Sequence, residues 1–305
     1  MGKVAFVFPG QGAQYPGMGK SLCEVSPAAA EIFRMADALR PGTSEQCFSG
    51  SEAELKETGI TQPCLWTVEM AAAAALHEAG IRADLTAGFS LGELSALSYA
   101  QVVDASTCFN LVCQRGRLMQ EAAEAVDTAM AAVVKLDNAA VEAICSRFEG
   151  VYPVNYNCPG QVTVAGRKAS MAPFSAAVKE AKGRALPLKV SGGFHSPFMN
   201  EASAAFGRLL DAVDFHSPVI PMYSNLTGLP YDRGPKALLE KQICSPVRWE
   251  AIIRNMIAAG ADTFIEVGPG TVLRGLIGKI DKNVRVLGVS DAESLAATIQ
   301  EVKSC

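Results

Sequence analysis

The sequence predicts an α/β protein: a core built on a parallel sheet, with a smaller unit of strands and helices inserted into it. Two patterns carry that prediction. Apolar runs such as Lys3–Phe8, Ala83–Ala87 and Asp262–Val267 show no polar alternation and stop at glycine or proline, as strands buried on both faces do. Residues 125–190 then run strand, helix, strand, strand, helix, strand, which is the ferredoxin-like order βαββαβ. At 305 residues the chain exceeds the usual size of one domain, so a large domain with an insertion, or two domains, is expected. A hydrophobic content of 49% supplies an ample core.

Lys3–Phe8 is the first strand, ending at Pro9-Gly10. Thr61-Gln62-Pro63 is expected to open an alanine-rich helix that runs to Glu78 and is closed by Gly80. Ala83–Ala87 is the next strand, and Gly88–Gly92 turns into a helix reaching Tyr99. In the inserted unit, Ala129–Lys135 is a strand and Asp137 caps a helix to Phe148. Val151–Asn157 and Gln161–Ala165 are strands about the turn Cys158-Pro159-Gly160. Lys168–Lys182 is helical and Arg184–Lys189 is the last strand. A helix from Ser196 to Ala212, a strand Val219–Ser224 and a helix Trp249–Ala259 follow. The strands Asp262–Val267 and Val284–Val289 and a short terminal helix complete the chain. Residues 1–124 and 191–305 are thus expected to make one larger, discontinuous domain, with 125–190 as the small domain.

The net charge of −4 is too mild for nucleic acid or an anionic membrane as the main partner. No apolar run reaches the ~18 residues of a membrane-spanning helix. Met1–Phe6 enters a strand directly, without a signal-peptide core, and Phe6 stands where a myristoylation signal needs Ser or Thr. A cytoplasmic protein is expected. The nine cysteines (23, 47, 64, 108, 113, 145, 158, 244 and 305) contain no CxxC pair, so reduced, packed thiols are expected. With only three histidines, no metal site is predicted.

Gly88-Phe89-Ser90-Leu91-Gly92 is a G-x-S-x-G pentapeptide between a strand and a helix. A sharp turn there projects Ser90 outward, and the Leu91 N–H at the helix start faces a developing oxyanion. A serine hydroxyl needs a base. His77 lies within a helix, and the tetrapeptide Phe-His-Ser-Pro occurs twice, at 194–197 and 215–218. His195, in a loop after Gly192-Gly193 and just before a helix, is favoured over His216, which precedes a strand entry. Gly10-Gln11-Gly12 is not a dinucleotide loop, because Tyr15 stands where that fingerprint needs glycine.

Several ordered stretches carry a wider likeness: residues 8–14, Gly88–Glu93, Gln114-Arg115-Gly116, Asn155–Gly166, Gly193–Met199, Gln242–Trp249 and Glu266–Gly270. Over essentially its full length the sequence resembles the malonyl-CoA–acyl carrier protein transacylase family. The resemblance implies an α/β-hydrolase-like core with a ferredoxin-like small domain, and Ser90 as nucleophile with His195 as its base. It also implies a backbone carbonyl at Gln242 orienting that histidine, and Gln11 and the Leu91 amide flanking the oxyanion. Arg115 would hold the free carboxylate of a malonyl group, which suits the fork of a guanidinium. Coenzyme A thioester and acyl carrier protein would be the substrates, with no further cofactor. Two positions depart from the family: Phe89 stands where histidine is usual, and Ser245 where asparagine is common.

Arg167, Lys168, Lys179, Lys182, Arg184 and Lys189 form a basic stretch with one acid, Glu180, and are expected to make one face that docks an acidic carrier protein. The rival readings are an acyl hydrolase on the same scaffold, against which Arg115 argues, and a non-catalytic module that docks a carrier protein.

Overall fold

A computed structural model describes residues 2–188, 190, 192–232 and 234–304. The chain opens with β1 (Lys3–Phe8) and three short helices, α1 (Lys20–Val25), α2 (Pro27–Leu39) and α3 (Thr43–Ser49). The 21-residue α4 (Thr58–Glu78), then β2 (Leu85–Gly88), α5 (Gly92–Tyr99) and the 21-residue α6 (Ala105–Ala125) follow. The inserted unit comprises β3 (Thr128–Val134), α7 (Asn138–Cys145), β4 (Val151–Cys158), β5 (Gln161–Arg167), α8 (Lys168–Glu180) and β6 (Arg184–Pro187). Next come α9 (Asn200–Leu210), β7 (Met222–Tyr223), α10 (Pro235–Gln242) and α11 (Trp249–Ala258). The chain ends with β8 (Ala261–Val267), α12 (Val272–Ile280), β9 (Arg285–Val289) and α13 (Ala292–Lys303).

The large sheet has the order β7-β2-β1-β8-β9, and every neighbouring pair in it is parallel. Central β1 explains the unbroken apolar runs. Phe6 and Phe8 enter the core shared with α4 and α5, while Ala5 and Val7 enter a second core with Trp249, Ile252 and Ile277. A strand covered on both faces cannot alternate apolar with polar. Helix α4 is apolar all round, with 16 of its 21 residues buried, as befits a core helix. It starts one turn earlier than expected, at Thr58, so Pro63 lies inside it.

The small sheet has the order β4-β5-β3-β6 and is antiparallel throughout. Helices α7 and α8 pack on one face through Val141, Ile144, Phe174 and Val178. The Asp137 carboxylate accepts from the Ala140 N–H at 2.8 Å, the expected cap, but α7 ends at Cys145 instead of Phe148. The other face, bearing Ala132, Asn155 and Thr163, borders a cleft of about 720 Å³ whose facing wall is Pro9–Gln14 and Phe89.

Three expectations need correction. The strand at Val219–Ser224 is only Met222–Tyr223, because Pro218 and Pro221 lack the N–H that an earlier ladder bond needs. The helix expected from Ser196 begins as a 3-10 turn, Pro197–Met199, before α9. Helix α6 has no counterpart among the expected elements, although its buried Cys108, Val112, Arg115 and Met119 recur at helical spacing.

Candidate active site

The turn after β2 is tight enough to exclude side chains at its glycines. A Cβ on Gly88 would lie 1.8 Å from the Gly92 carbonyl carbon, and one on Gly92 would lie 2.2 Å from the Phe8 oxygen. Between them Ser90 takes φ +55°, a left-handed conformation that costs a non-glycine residue energy unless its surroundings enforce it. Asn225 enforces it. Its Oδ1 accepts from the Ser90 N–H at 2.7 Å and its Nδ2 donates to the Gly88 carbonyl at 2.6 Å. Among the described residues the neighbouring Leu91 N–H donates to no protein acceptor, so it is available at the start of α5.

The Ser90 Oγ lies 2.7 Å from Nε2 of His195, which reaches it from 105 residues away. His195 also has positive φ, +59°, and its Nδ1 is 2.9 Å from the Gln242 carbonyl oxygen. A carbonyl only accepts, so Nδ1 carries the proton and Nε2 is left to accept from the serine. Burial, then the Arg115 cation, push the histidine down to about 4 against the backbone carbonyls of Gln242 and Ser245. The imidazole is therefore a neutral base at pH 7.

Arg115 is wholly buried on α6. Its Nη1 donates to Gln62 Oε1 at 2.8 Å, and its Nη2 to Gln242 Oε1 at 2.8 Å and to Ser90 Oγ at 3.2 Å. No acidic group among the described residues makes an ion pair with it. Desolvation draws it down to about 10, opposed by Glu93, so it stays charged at pH 7. The Gln242 side chain ties the site together, donating from Nε2 to the Ser90 carbonyl at 2.7 Å and to Glu93 Oε2 at 2.9 Å. Glu93 is buried on α5 and accepts from the Asn225 N–H and the Tyr231 hydroxyl.

Gln62, Glu93, Asn225 and Tyr231 were not picked out as site residues. Glu93 falls at the end of the stretch Gly88–Glu93, where it carries no local signal, and Gln62 falls in Thr61-Gln62-Pro63, whose pattern signals only a helix start. Nothing near Asn225 or Tyr231 in the sequence signals a site.

Gln11 sits in the cleft wall beside Phe89, its Nε2 3.3 Å from Thr58 Oγ1. Phe89 packs edge-on against Trp249 with ring centres 5.5 Å apart, and the buried Trp249 Nε1 has no hydrogen-bond partner among the described residues. Ser245 places its N–H 3.5 Å from the Gln242 carbonyl, the same oxygen that His195 uses. His77 contacts Arg82, and His216 is exposed.

The basic residues are spread along the length of α8. Arg167 and Lys168 stand at the start of α8, Arg167 over the Phe198 ring and Lys168 near Asp127 at 3.7 Å. Lys179, Lys182 and Arg184 lie at its other end, roughly 16 Å away at 1.5 Å per residue. Arg184 is near the cleft, since Val134 pairs with both Arg184 and the cleft-lining Gln161. Residues near in sequence were separated by the length of the helix between them. Lys189 lies outside the described residues.

The family model described as acyl transferase domain matches residues 5–304. The malonyl CoA-acyl carrier protein transacylase of Bacillus subtilis (strain 168) is 41% identical over 312 residues, covering 99% of this chain and 98% of the relative. The crystal structure of malonyl CoA-acyl carrier protein transacylase from Clostridium perfringens superposes with TM-score 0.95 at 35% identity, covering 99% and 98% of the two chains. A malonyl-transacylase solved in complex with its type II PKS acyl-carrier protein superposes with TM-score 0.94 at 34% identity, covering 98% and 99%.

Proposed function

The chain belongs to the acyl transferase domain family, among its malonyl-CoA–acyl carrier protein transacylases, and from that premise we propose how it carries malonyl from coenzyme A to a carrier protein's phosphopantetheine thiol. The observation that carries the mechanism is a single convergence. The Ser90 hydroxyl is 2.7 Å from a neutral histidine nitrogen and 3.2 Å from a buried guanidinium with no acidic ion-pair partner among the described residues.

Ser90 Oγ attacks the thioester carbonyl as its proton passes to His195 Nε2. The oxyanion rests between the Leu91 N–H and Gln11, and losing one such donor costs roughly 2.7–4 kcal/mol. Collapse expels the coenzyme A thiolate, which takes the proton from His195. The carrier's thiol then gives its proton to His195, attacks the malonyl-serine carbonyl and releases Ser90, which regains its proton. The Gln242 carbonyl keeps the imidazole tautomer fixed through both half-reactions.

Arg115 pairs with the free carboxylate of malonyl. This neutralises the cation that depresses His195, so loading the substrate strengthens the base that acts on it. The reaction uses no cofactor, because every group it needs comes from the chain. The cleft between the two sheets receives the pantetheine arm of either substrate. No helix among the described residues is long and apolar enough to cross a membrane. The cytoplasm as working compartment is part of the proposal, and the eight described cysteines are free thiols, as a reducing compartment keeps them.

Mass spectrometry after mixing with malonyl-CoA tests the reading: a malonyl adduct on the wild type and none on Ser90→Ala is expected. A wild type without an adduct refutes it. Malonate released faster than a carrier protein is loaded would make the chain a hydrolase.

A further inference from the structure

Among the described residues, the hydrogen-bond network around Ser90 joins one cation, Arg115, to one acid, Glu93, and the mechanism uses only the cation. Glu93 is completely buried. It is joined to Arg115 by a single side-chain amide: Gln242 Oε1 accepts from Arg115 at 2.8 Å while its Nε2 donates to Glu93 at 2.9 Å. The other Glu93 oxygen accepts from the Asn225 N–H at 3.0 Å and the Tyr231 hydroxyl at 2.6 Å. Three donors aimed at two oxygens form a cradle for an ionised carboxylate. We propose that Glu93 is the counter-charge of the empty acyl pocket, and that it competes through the Gln242 amide with the malonyl carboxylate for Arg115.

The inference rests on the malonyl-transfer reading of the same site. Its logic is charge balance in a medium that screens poorly. With Glu93 ionised, the empty pocket is neutral, and a malonyl carboxylate adds an uncompensated negative charge. With Glu93 protonated, the pocket carries one positive charge, which the malonyl carboxylate cancels. The titratable groups facing Glu93 are Arg115 from α6 and Tyr231 from the loop after β7. Tyr231 is held neutral by burial and by Glu93 itself, while Arg115 remains charged. Burial raises Glu93 to about 7 against its hydrogen bonds and Arg115, so both charge states are populated near neutrality. Malonyl binding should then draw a proton onto Glu93.

Glu93 is a positioning residue, since it reaches the substrate only through Gln242 and Arg115. The test is the pH dependence of malonyl-CoA half-saturation in single-turnover acylation of Ser90, which excludes the carrier thiol from the measurement. In the wild type the half-saturation value should rise about fivefold between pH 6 and 8, for one unit of mutual displacement between two acids. Acetyl-CoA, which carries the same phosphates but no free carboxylate, should show no such rise. Glu93→Gln sets an amide NH₂ against the Gln242 amide, so its kcat falls at every pH. Its half-saturation should nevertheless be flat from pH 6 to 8.

Tyr231→Phe removes a donor to the ionised form and should move the wild-type midpoint to higher pH. It gives an independent reading if Glu93→Gln does not fold. A Glu93→Gln enzyme that keeps the wild-type rise, an unmoved midpoint in Tyr231→Phe, or an equal rise with acetyl-CoA overturns the inference. A wild type that forms no malonyl adduct at any pH overturns the transfer reading instead.

Discussion

Replacing Asn225 with alanine isolates what holds the nucleophile in its strained conformation. The side chain makes two hydrogen bonds, to the Ser90 N–H at 2.7 Å and the Gly88 carbonyl at 2.6 Å, and is itself fully buried. Truncation orphans a buried donor and a buried acceptor, each costing about 1–3 kcal/mol. The expected loss is about 3–4 kcal/mol, read as a lower urea midpoint at unchanged slope. The backbone N–H of residue 225 still reaches Glu93, so the rest of the network survives. Ser90 at φ +55° then relaxes toward an ordinary conformation, and its hydroxyl leaves the 2.7 Å contact with His195. Acylation should slow by at least a hundredfold in stopped-flow release of coenzyme A. A variant that loses under about 1 kcal/mol and acylates within threefold of wild type would refute the claim that Asn225 enforces the turn.

Three further outcomes are expected. Arg115→Met should lower malonyl-CoA kcat/KM about 10- to 150-fold, the equivalent of a charged hydrogen bond of about 1.5–3 kcal/mol, while acetyl-CoA is spared. Competition between the two thioesters measures it. His195 must be neutral to act and is pushed down to about 4 in the empty site. Protonation of His195 should therefore cause no loss of acylation kcat/KM between pH 7 and about 5, with the fall coming only below that. The kcat limb should lie at higher pH, because bound malonyl neutralises Arg115. The same shift makes the unfolded chain the better proton acceptor between 6.5 and about 4, so stability should decline as pH falls through that window. Reversing Lys179 and Lys182 to Glu should raise the KM for the carrier protein and leave that for malonyl-CoA unchanged. The same reversal at Arg167 and Lys168, at the far end of α8, should have the smaller effect in carrier-loading assays.

The sequence by itself determined the pieces whose cause is local. Apolar runs bounded by Gly and Pro gave β1, β2 and β8. A strand–GxSxG–helix context gave Ser90, because the glycines answer to contacts within one turn. The order βαββαβ gave the small sheet, since each of its strands pairs in an arrangement that the element order implies. Choosing His195 over His216 needed the family resemblance, for both sit in the same tetrapeptide.

Only the tertiary structure decided how the site is held. Ser90, Arg115, His195, Asn225 and Gln242 come from separate segments, up to 152 residues apart, and no periodicity marks which polar side chains will meet. Gln62 lay in a stretch read as a helix start, and Asn225 in an unassigned loop, yet the first holds the guanidinium and the second the strained serine. The carbonyl that orients His195 is a backbone atom that every residue possesses, so its role follows only from where the end of α10 comes to rest. The basic residues are legible as a group in the chain, and the structure adds how far α8 spreads them. Local patterns reflect burial and turn geometry within a few residues. Convergent polar contacts depend on how whole elements pack, and that information lies in the summed core contacts.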